Sequence, residues 1–298
     1  MDTVQTVTGP SPVATLGRTL VHEHLITAMP GWDMDALAPP FDRGAAMKNA
    51  IEGLRRLQDH GVETFLDPCP MDLGRDVRFA AEVADATGMR VICTTGAYFE
   101  AAGITYVFSH LPVDDITAIY EKELTEGIGD TGIRAGLIKV ATGAGRISDY
   151  ERKLLVAAGR AAVRCDVPVI THTEGATCGP EQVAVLTAEG VPAHRILVGH
   201  SDGTTDHPYH RSIVDTGSYI GFDRLGLETI LPDADRVTSI ARLVDAGYAR
   251  HVCLSHDATC GANKGRFYVP GRGVAHERLL AHNPNWKPTN LLDRKSVV

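Results

Sequence analysis

Six residues share a position that invites metal chemistry. His22 and His24 (LVHEHL), Lys139 (LIKVAT), His172 (ITHTE), His200 (ILVGHSD) and Asp257 (LSHD) each lie where an apolar, β-branched run turns polar. On an extended strand the side-chain period of two puts His22 and His24 on one face and turns Glu23 away. Neutral imidazole and carboxylate suit Zn²⁺ first, with Co²⁺, Mn²⁺ or Fe²⁺ as neighbours in the same ligand chemistry. A lone strand histidine is ordinarily a hydrogen-bonded core residue. Five metal-type ligands and one lysine, all in the same phase of separate runs, are not explained that way.

Lys139 ends a run of apolar residues. In a low-dielectric interior its ammonium form is disfavoured and its pKa falls. A neutral amine reacts with CO₂ to give a carbamate, an anionic bidentate group able to bridge two cations. The plainer alternative is an ion pair with Asp257 or with a substrate anion.

The elements that must position these residues follow one rhythm. Strand candidates cover 19–25, 64–69, 91–98, 136–142, 168–174, 196–202, 219–224 and 251–257. They are continuously apolar in their first halves, as strands buried on both faces are. Amphipathic stretches lie between them, among them 45–60, 80–87, 149–164 and 234–246, with Gly61, Gly88 and Gly247 closing three of these. Strand and helix alternating eight times imply an α/β fold with parallel strands, a (β/α)₈ TIM barrel, whose active site lies at the C-terminal rim of its strands. An open doubly wound sheet would need a Gly-rich phosphate loop after its first strand, and LVHEHLITAMPGW is not one. The 298 residues fit a single barrel domain spanning 1–298. Beyond Asp257 the sequence suggests a short loop helix over 271–282 and the beginning of a last helix over 288–298, so the C-terminal end is expected to be short or truncated.

Bulk properties narrow the partners. The formal net charge is −8 and no run of Lys or Arg occurs, which argues against nucleic acid and acidic membranes and for a small-molecule substrate. The first residues, MDTVQTVTGPSPV, lack the pattern of a signal peptide. No stretch approaches the roughly 18 apolar residues needed to span a bilayer. Six cysteines are scattered without a C-x-x-C pair. They read as buried thiols in a cytoplasmic protein rather than as disulfides.

With these segments in view, the chain resembles the phosphotriesterase family of the amidohydrolase superfamily, and within it the phosphotriesterase-like lactonase branch. The resemblance rests on LGRTLVHEHL, LIKVATG, ITHTEG, ILVGHSDG, YIGFDRLG and LSHDATC, running in the family's order over about residues 16–260. It implies that His22, His24 and Asp257 hold the more buried of two divalent metals and His172 and His200 the more exposed one. The carbamate of Lys139 and a hydroxide would bridge them. Tyr98 (TGAYF) and Arg224 (GFDRLG) match lactonase positions where phosphotriesterases proper carry tryptophan and histidine. Without the resemblance, Tyr98 would be a packing residue and Arg224 the partner of Asp223 or a nearby carboxylate. Gly203 stands where phosphotriesterases have an aspartate of a proton relay, so that relay is not expected here. The loop CGANKGRFYVPGRG is rich in glycine and charge, which argues against long acyl-chain lactones. The family's acidic last helix and closing N-P-x-x-x-F segment are not recognisable.

The expected chemistry is hydroxide attack on a lactone or ester carbonyl, with weak phosphotriester turnover. Tyr98 would assist the oxyanion and Asp257 would accept the proton. Amide or carboxylic-ester hydrolysis is the alternative within enzymes. A catalytically impaired metal-binding barrel is the alternative outside them. An incomplete last helix would leave apolar surface beside strands eight and one, so a homodimer is expected. Asp67, Glu174 and Asp202 are expected to orient ligand histidines. His207 and His210 are assigned to surface or capping roles, His256 to packing, and Cys260 to the neighbourhood of the metal rim.

Overall fold

The computed structural model describes residues 3–266 and, as backbone, the short strands Tyr268–Val269 and Gly273–Val274. Eight parallel strands form one sheet in chain order. They are β1 (Thr19–Leu20), β2 (Thr64–Asp67), β3 (Arg90–Gly96), β4 (Leu137–Thr142), β5 (Val169–Thr173), β6 (Ile196–Gly199), β7 (Tyr219–Phe222) and β8 (Val252–Leu254). The sheet nearly closes into a barrel. β8 and β1 meet at the rim, where the Asp257 N–H donates to the His22 carbonyl (3.0 Å) and the His24 N–H to the Ala258 carbonyl (2.8 Å).

A helix follows each of the first seven strands: α1 (Arg43–Asp59), α2 (Val77–Thr87), α3 (Val113–Thr125), α4 (Asp149–Cys165), α5 (Gly179–Ala188), α6 (His207–Val214) and α7 (Asp233–Asp245). Their starts are written locally. Asp42, Asp76 and Asp206 each accept a first-turn backbone N–H, and Ser148 with Glu151 forms a capping box. Gly88 ends α2 in the left-handed region that glycine enters without strain.

The apolar faces of the helices bury Leu54, Phe79, Ile116, Leu154, Leu186 and Leu243 against the outside of the sheet. Inside the barrel, Ile92, Leu137 and Ile170 form a floor with Leu66 and Leu197, joined by Val4 of an N-terminal hairpin (Thr3–Thr6 with Gly9–Pro12). This floor sets the site's phase. Lys139 and His172 are two residues beyond Leu137 and Ile170 and so face the same interior, one layer nearer the rim.

The expected strands occur, but their polar tips are not regular strand. The first candidate breaks after Leu20 and resumes as His24–Ala28, which pairs in parallel with Thr259–Lys264. β6, β7 and β8 stop at Gly199, Phe222 and Leu254, short of the residues that carry chemistry. A further strand at 259–264 lies beyond the last of the expected ones. It buries Cys260 against α1, where a Cβ on Gly53 would lie 3.1 Å from the cysteine Cβ, one residue beyond Thr259, the strand partner of His24. At 273–274 the backbone is strand and not the expected loop helix. The rest of that expectation, and the last helix over 288–298, lie outside the described residues.

Candidate metal centre

Three imidazoles surround one carboxylate at the rim. The Nε2 atoms of His24, His22 and His200 lie 3.2, 3.7 and 3.8 Å from the oxygens of Asp257. Each of these rings is fixed through its other nitrogen. His22 Nδ1 lies 2.9 Å from Asp223 Oδ2, His200 Nδ1 2.9 Å from Asp223 Oδ1, and His24 Nδ1 3.1 Å from Asp67 Oδ1. A carboxylate accepts only, so Nδ1 of His22 and of His200 carries the proton and their Nε2 atoms present lone pairs to the centre, while His24, held between Asp67 and Asp257, donates from both ring nitrogens. Lys139 Nζ completes the group, 3.2 Å from His22 Nε2 and 3.4 Å from the Thr171 carbonyl.

The backbone bends to make this possible. His200 and Asp257 have φ of 58° and 56°, in the left-handed region. Such a conformation costs a non-glycine residue about 1–3 kcal/mol and persists where surrounding contacts over-determine it. Here the His200 N–H is held by Asp223 Oδ1 at 2.8 Å and the Asp257 N–H by the His22 carbonyl. Two glycines make room for Asp223: a Cβ on Gly221 would lie 2.6 Å, and one on Gly199 3.0 Å, from its Oδ2. A Cβ on Gly96 would overlap the Lys139 carbonyl, which is why β3 can lie against β4 at the lysine's own position.

The electrostatics suit cation binding. Burial pulls the Lys139 ammonium down to about 8, although Asp223 and Asp257 oppose this. Burial, followed by Lys139, also lowers His22, while burial with Arg224 holds His200 well below its ordinary value. For His172 burial brings the pKa to about 4. These rings are neutral at pH 7. His24 differs: burial opposes its charge, but hydrogen bonds to Asp257 and Asp67 raise it well above the ordinary value. Burial opposes ionisation of Asp257 too, yet His200, His24 and Arg224 keep it an anion. The donor set fits divalent cations: buried imidazoles, a partly buried carboxylate, and a buried lysine whose Nζ lies against His22 Nε2 and the Thr171 carbonyl.

Among the other expected residues, Tyr98 places its hydroxyl 3.2 Å from His172 Nδ1, and burial holds that phenol well above its usual range, so it remains a donor. Arg224 pairs through Nε with Asp257 Oδ2 at 3.0 Å, and not with Asp223. His172 meets Glu174 Oε2 at 3.0 Å through Nε2. Its ring packs 4.5 Å from that of His200, but it is His200, His22 and Asp257 whose ligand atoms all lie within 4.8 Å of one another. Asp67 and Glu174 touch the candidate ligands His24 and His172. Asp202 does not: it accepts the Arg224 N–H (3.0 Å) and pairs with Arg236 (2.9 Å). Asp223 does that work instead, a role its place beside Arg224 in sequence did not reveal. Its signal was an acid directly after an apolar strand. His210 is fully buried and donates to the Ser201 carbonyl at 2.9 Å, so a surface role is wrong for it. Glu23 turns away from the centre, where it accepts from the Ser255 hydroxyl and the backbone of His256 and Ala258 and pairs with the His256 ring.

Comparison with known proteins agrees with this geometry. A model of the phosphotriesterase family matches residues 2–294, and the chain belongs to that family. It is 34% identical over 250 residues to an aryldialkylphosphatase of Saccharolobus solfataricus, covering 82% of this chain and 78% of that protein. The structure of an organophosphorus hydrolase from Deinococcus radiodurans superposes with a TM-score of 0.90 at 38% identity, over 100% of this chain and 92% of the other. A mutant of a Deinococcus radiodurans PTE-like lactonase gives 0.89 at 37%, covering 99% and 94%. Among the described residues no helix is long and apolar enough to cross a membrane.

Proposed function

We propose that the chain is a metal-dependent hydrolase that opens lactones or related esters of small molecules, with phosphotriester cleavage as a weak side activity. The observation that carries this reading is the convergence of three Nε2 atoms on Asp257 beside the buried Lys139. His22, His24, His172, His200, Asp257 and a carbamate on Lys139 would hold two divalent cations, Zn²⁺ first among them. When bound, such cations supply hydroxide near neutral pH and polarise the carbonyl it attacks.

The chain's own groups do the rest. Asp257 is anionic and accepts a proton through Oδ1, while its Oδ2 is held by Arg224. The Tyr98 hydroxyl, kept protonated by burial, donates to the developing oxyanion. Arg224 fixes the carboxylate and lends positive charge to the mouth of the site. Asp223 and Asp67 hold the histidine tautomers. Tyr98 and Arg224 favour the lactone over the phosphotriester, since both match lactonase positions.

The reading takes the protein to be cytoplasmic and homodimeric. Met34, Leu37 and Tyr106 are exposed on the connections after β1 and β3, which abut at Pro30 and Gly103, and this supports a second copy there. The test is metal content by ICP mass spectrometry for wild type and Lys139→Ala, followed by a lactone, ester and phosphotriester screen. About two metals per chain, lost in the variant, with turnover highest on lactones, supports the reading. Wild type that takes up no metal from Zn²⁺, Co²⁺ or Mn²⁺ with bicarbonate refutes it.

A further inference from the structure

The β7–α7 connection carries Arg224 into the site, and it is fastened from outside by one buried arginine. Arg236, on the first turn of α7, is fully buried. Its Nε lies 2.9 Å from Asp202 Oδ2, its Nη1 2.9 Å from Asp233 Oδ1, and its Nη2 donates to the Leu227 carbonyl at 3.1 Å. Nη1 also reaches the Leu231 carbonyl. Its two carboxylate partners hold the start of the same loop: Asp202 Oδ2 accepts the Arg224 N–H at 3.0 Å, and Asp233 Oδ1 accepts the Gly226 N–H at 2.9 Å.

We infer that Arg236, with Asp202 and Asp233, is a positioning group that sets where the Arg224 side chain meets Asp257. The inference rests on the proposed role of Arg224 at the site. The geometry is specific to arginine. A planar guanidinium hydrogen-bonds Asp233 and two backbone carbonyls while its Nε pairs in charge with Asp202, a spread of contacts that a single lysine ammonium does not reach. Every one of these contacts lands on residues 202–233, and none touches a candidate metal ligand. The network is therefore separable from metal binding. It governs the aim of Arg224, and through it the fit of the substrate's leaving side against Asp257.

The test uses Arg236→Met, Arg236→Lys, Asp233→Ala and Arg224→Ala, each measured by amide hydrogen exchange, metal content and steady-state kinetics on a γ-lactone. Arg236→Met is expected to speed exchange of the amides in 224–231 at least tenfold while the ligand segments on β4 and β5 keep their protection. Metal content should match wild type, and kcat/KM should fall about 10- to 100-fold, chiefly through KM. Arg236→Lys should lie between the two. Arg224→Ala should lose the same turnover with no change in exchange. Should Arg236→Met fail to fold, Asp233→Ala, which cuts the Gly226 tether at the loop's outer edge, carries the exchange measurement. Unchanged exchange over 224–231 in the folded variants, or a rise spread evenly over the barrel, overturns the inference. If wild type turns over no lactone, the proposed function falls, and the exchange data still decide whether Arg236 orders the loop.

Discussion

Asp223→Asn tests the logic of the centre without touching a candidate ligand. The wild-type carboxylate accepts three hydrogen bonds, from His22 Nδ1 (2.9 Å), His200 Nδ1 (2.9 Å) and the His200 backbone (2.8 Å). An asparagine has one oxygen. Placing it at Oδ1 keeps both bonds to His200 and turns the amide NH₂ toward His22 Nδ1. The His22 proton must then move to Nε2, and the lone pair facing Lys139 and Asp257 is lost. One buried charge-assisted bond is forfeited, about 1.5–3 kcal/mol, and loss of such an orienting partner weakens metal affinity about 10- to 100-fold. The assay is competition with a chelator on protein of known metal content, monitored by ICP mass spectrometry, with a melt of the metal-free protein alongside. Asp223→Asn should release one metal at about 10- to 100-fold lower chelator concentration than wild type. Wild-type retention of both metals, in a variant whose metal-free Tm has fallen, would show that the His22 tautomer does not control binding.

Other variants probe separate links. Asp257→Asn keeps size and loses the proton acceptor, so turnover should fall at least about 100-fold, and full turnover at full metal content would remove Asp257 from the proton path. Tyr98→Phe should lower kcat about 10- to 100-fold and leave the metals in place; a change confined to KM would make Tyr98 a binding residue only. Arg75 holds Glu123 at 2.7 and 2.8 Å and the Thr94 carbonyl at 2.7 Å in a largely buried position, so Arg75→Met should destabilise the fold by about 3 kcal/mol in a denaturant titration, and a loss under about 1 kcal/mol would contradict that. Asp72 accepts the Tyr98 N–H with both oxygens, yet burial raises it to about 6. A carboxyl raised in the folded state contributes stability that is full below its unfolded pKa near 3.8 and lost as pH rises through about 6. Asp72→Asn should therefore be more stable than wild type by about 1–3 kcal/mol at pH 8, with the gap closing below pH 4; an equal gap at both pH values would place the effect elsewhere.

Much of the barrel is legible along the chain because its signals are local. Continuous apolar runs mark strands buried on both faces, glycines close helices, and Asp42, Asp76 and Ser148 begin them. Less is legible where the chain leaves regular geometry. The first strand breaks at 21–23, and a strand at 259–264 follows the bend at Asp257, since closing the barrel at its rim requires backbone contacts between segments more than two hundred residues apart. No local pattern encodes those contacts.

The same division runs through the site. The sequence by itself determined which residues would crowd one rim, because strand alternation above an apolar floor leaves Lys139 and His172 no other direction. It determined His22 and His24 as a pair and Glu23 as their opposite. Only the tertiary structure decided the partners: Asp223 between His22 and His200, Arg224 on Asp257, and Asp202 on Arg236. Alternation predicts side-chain direction only while φ and ψ stay extended. At His200 and Asp257 φ becomes positive, and from there the direction of each side chain is set by the groups that hold the bend.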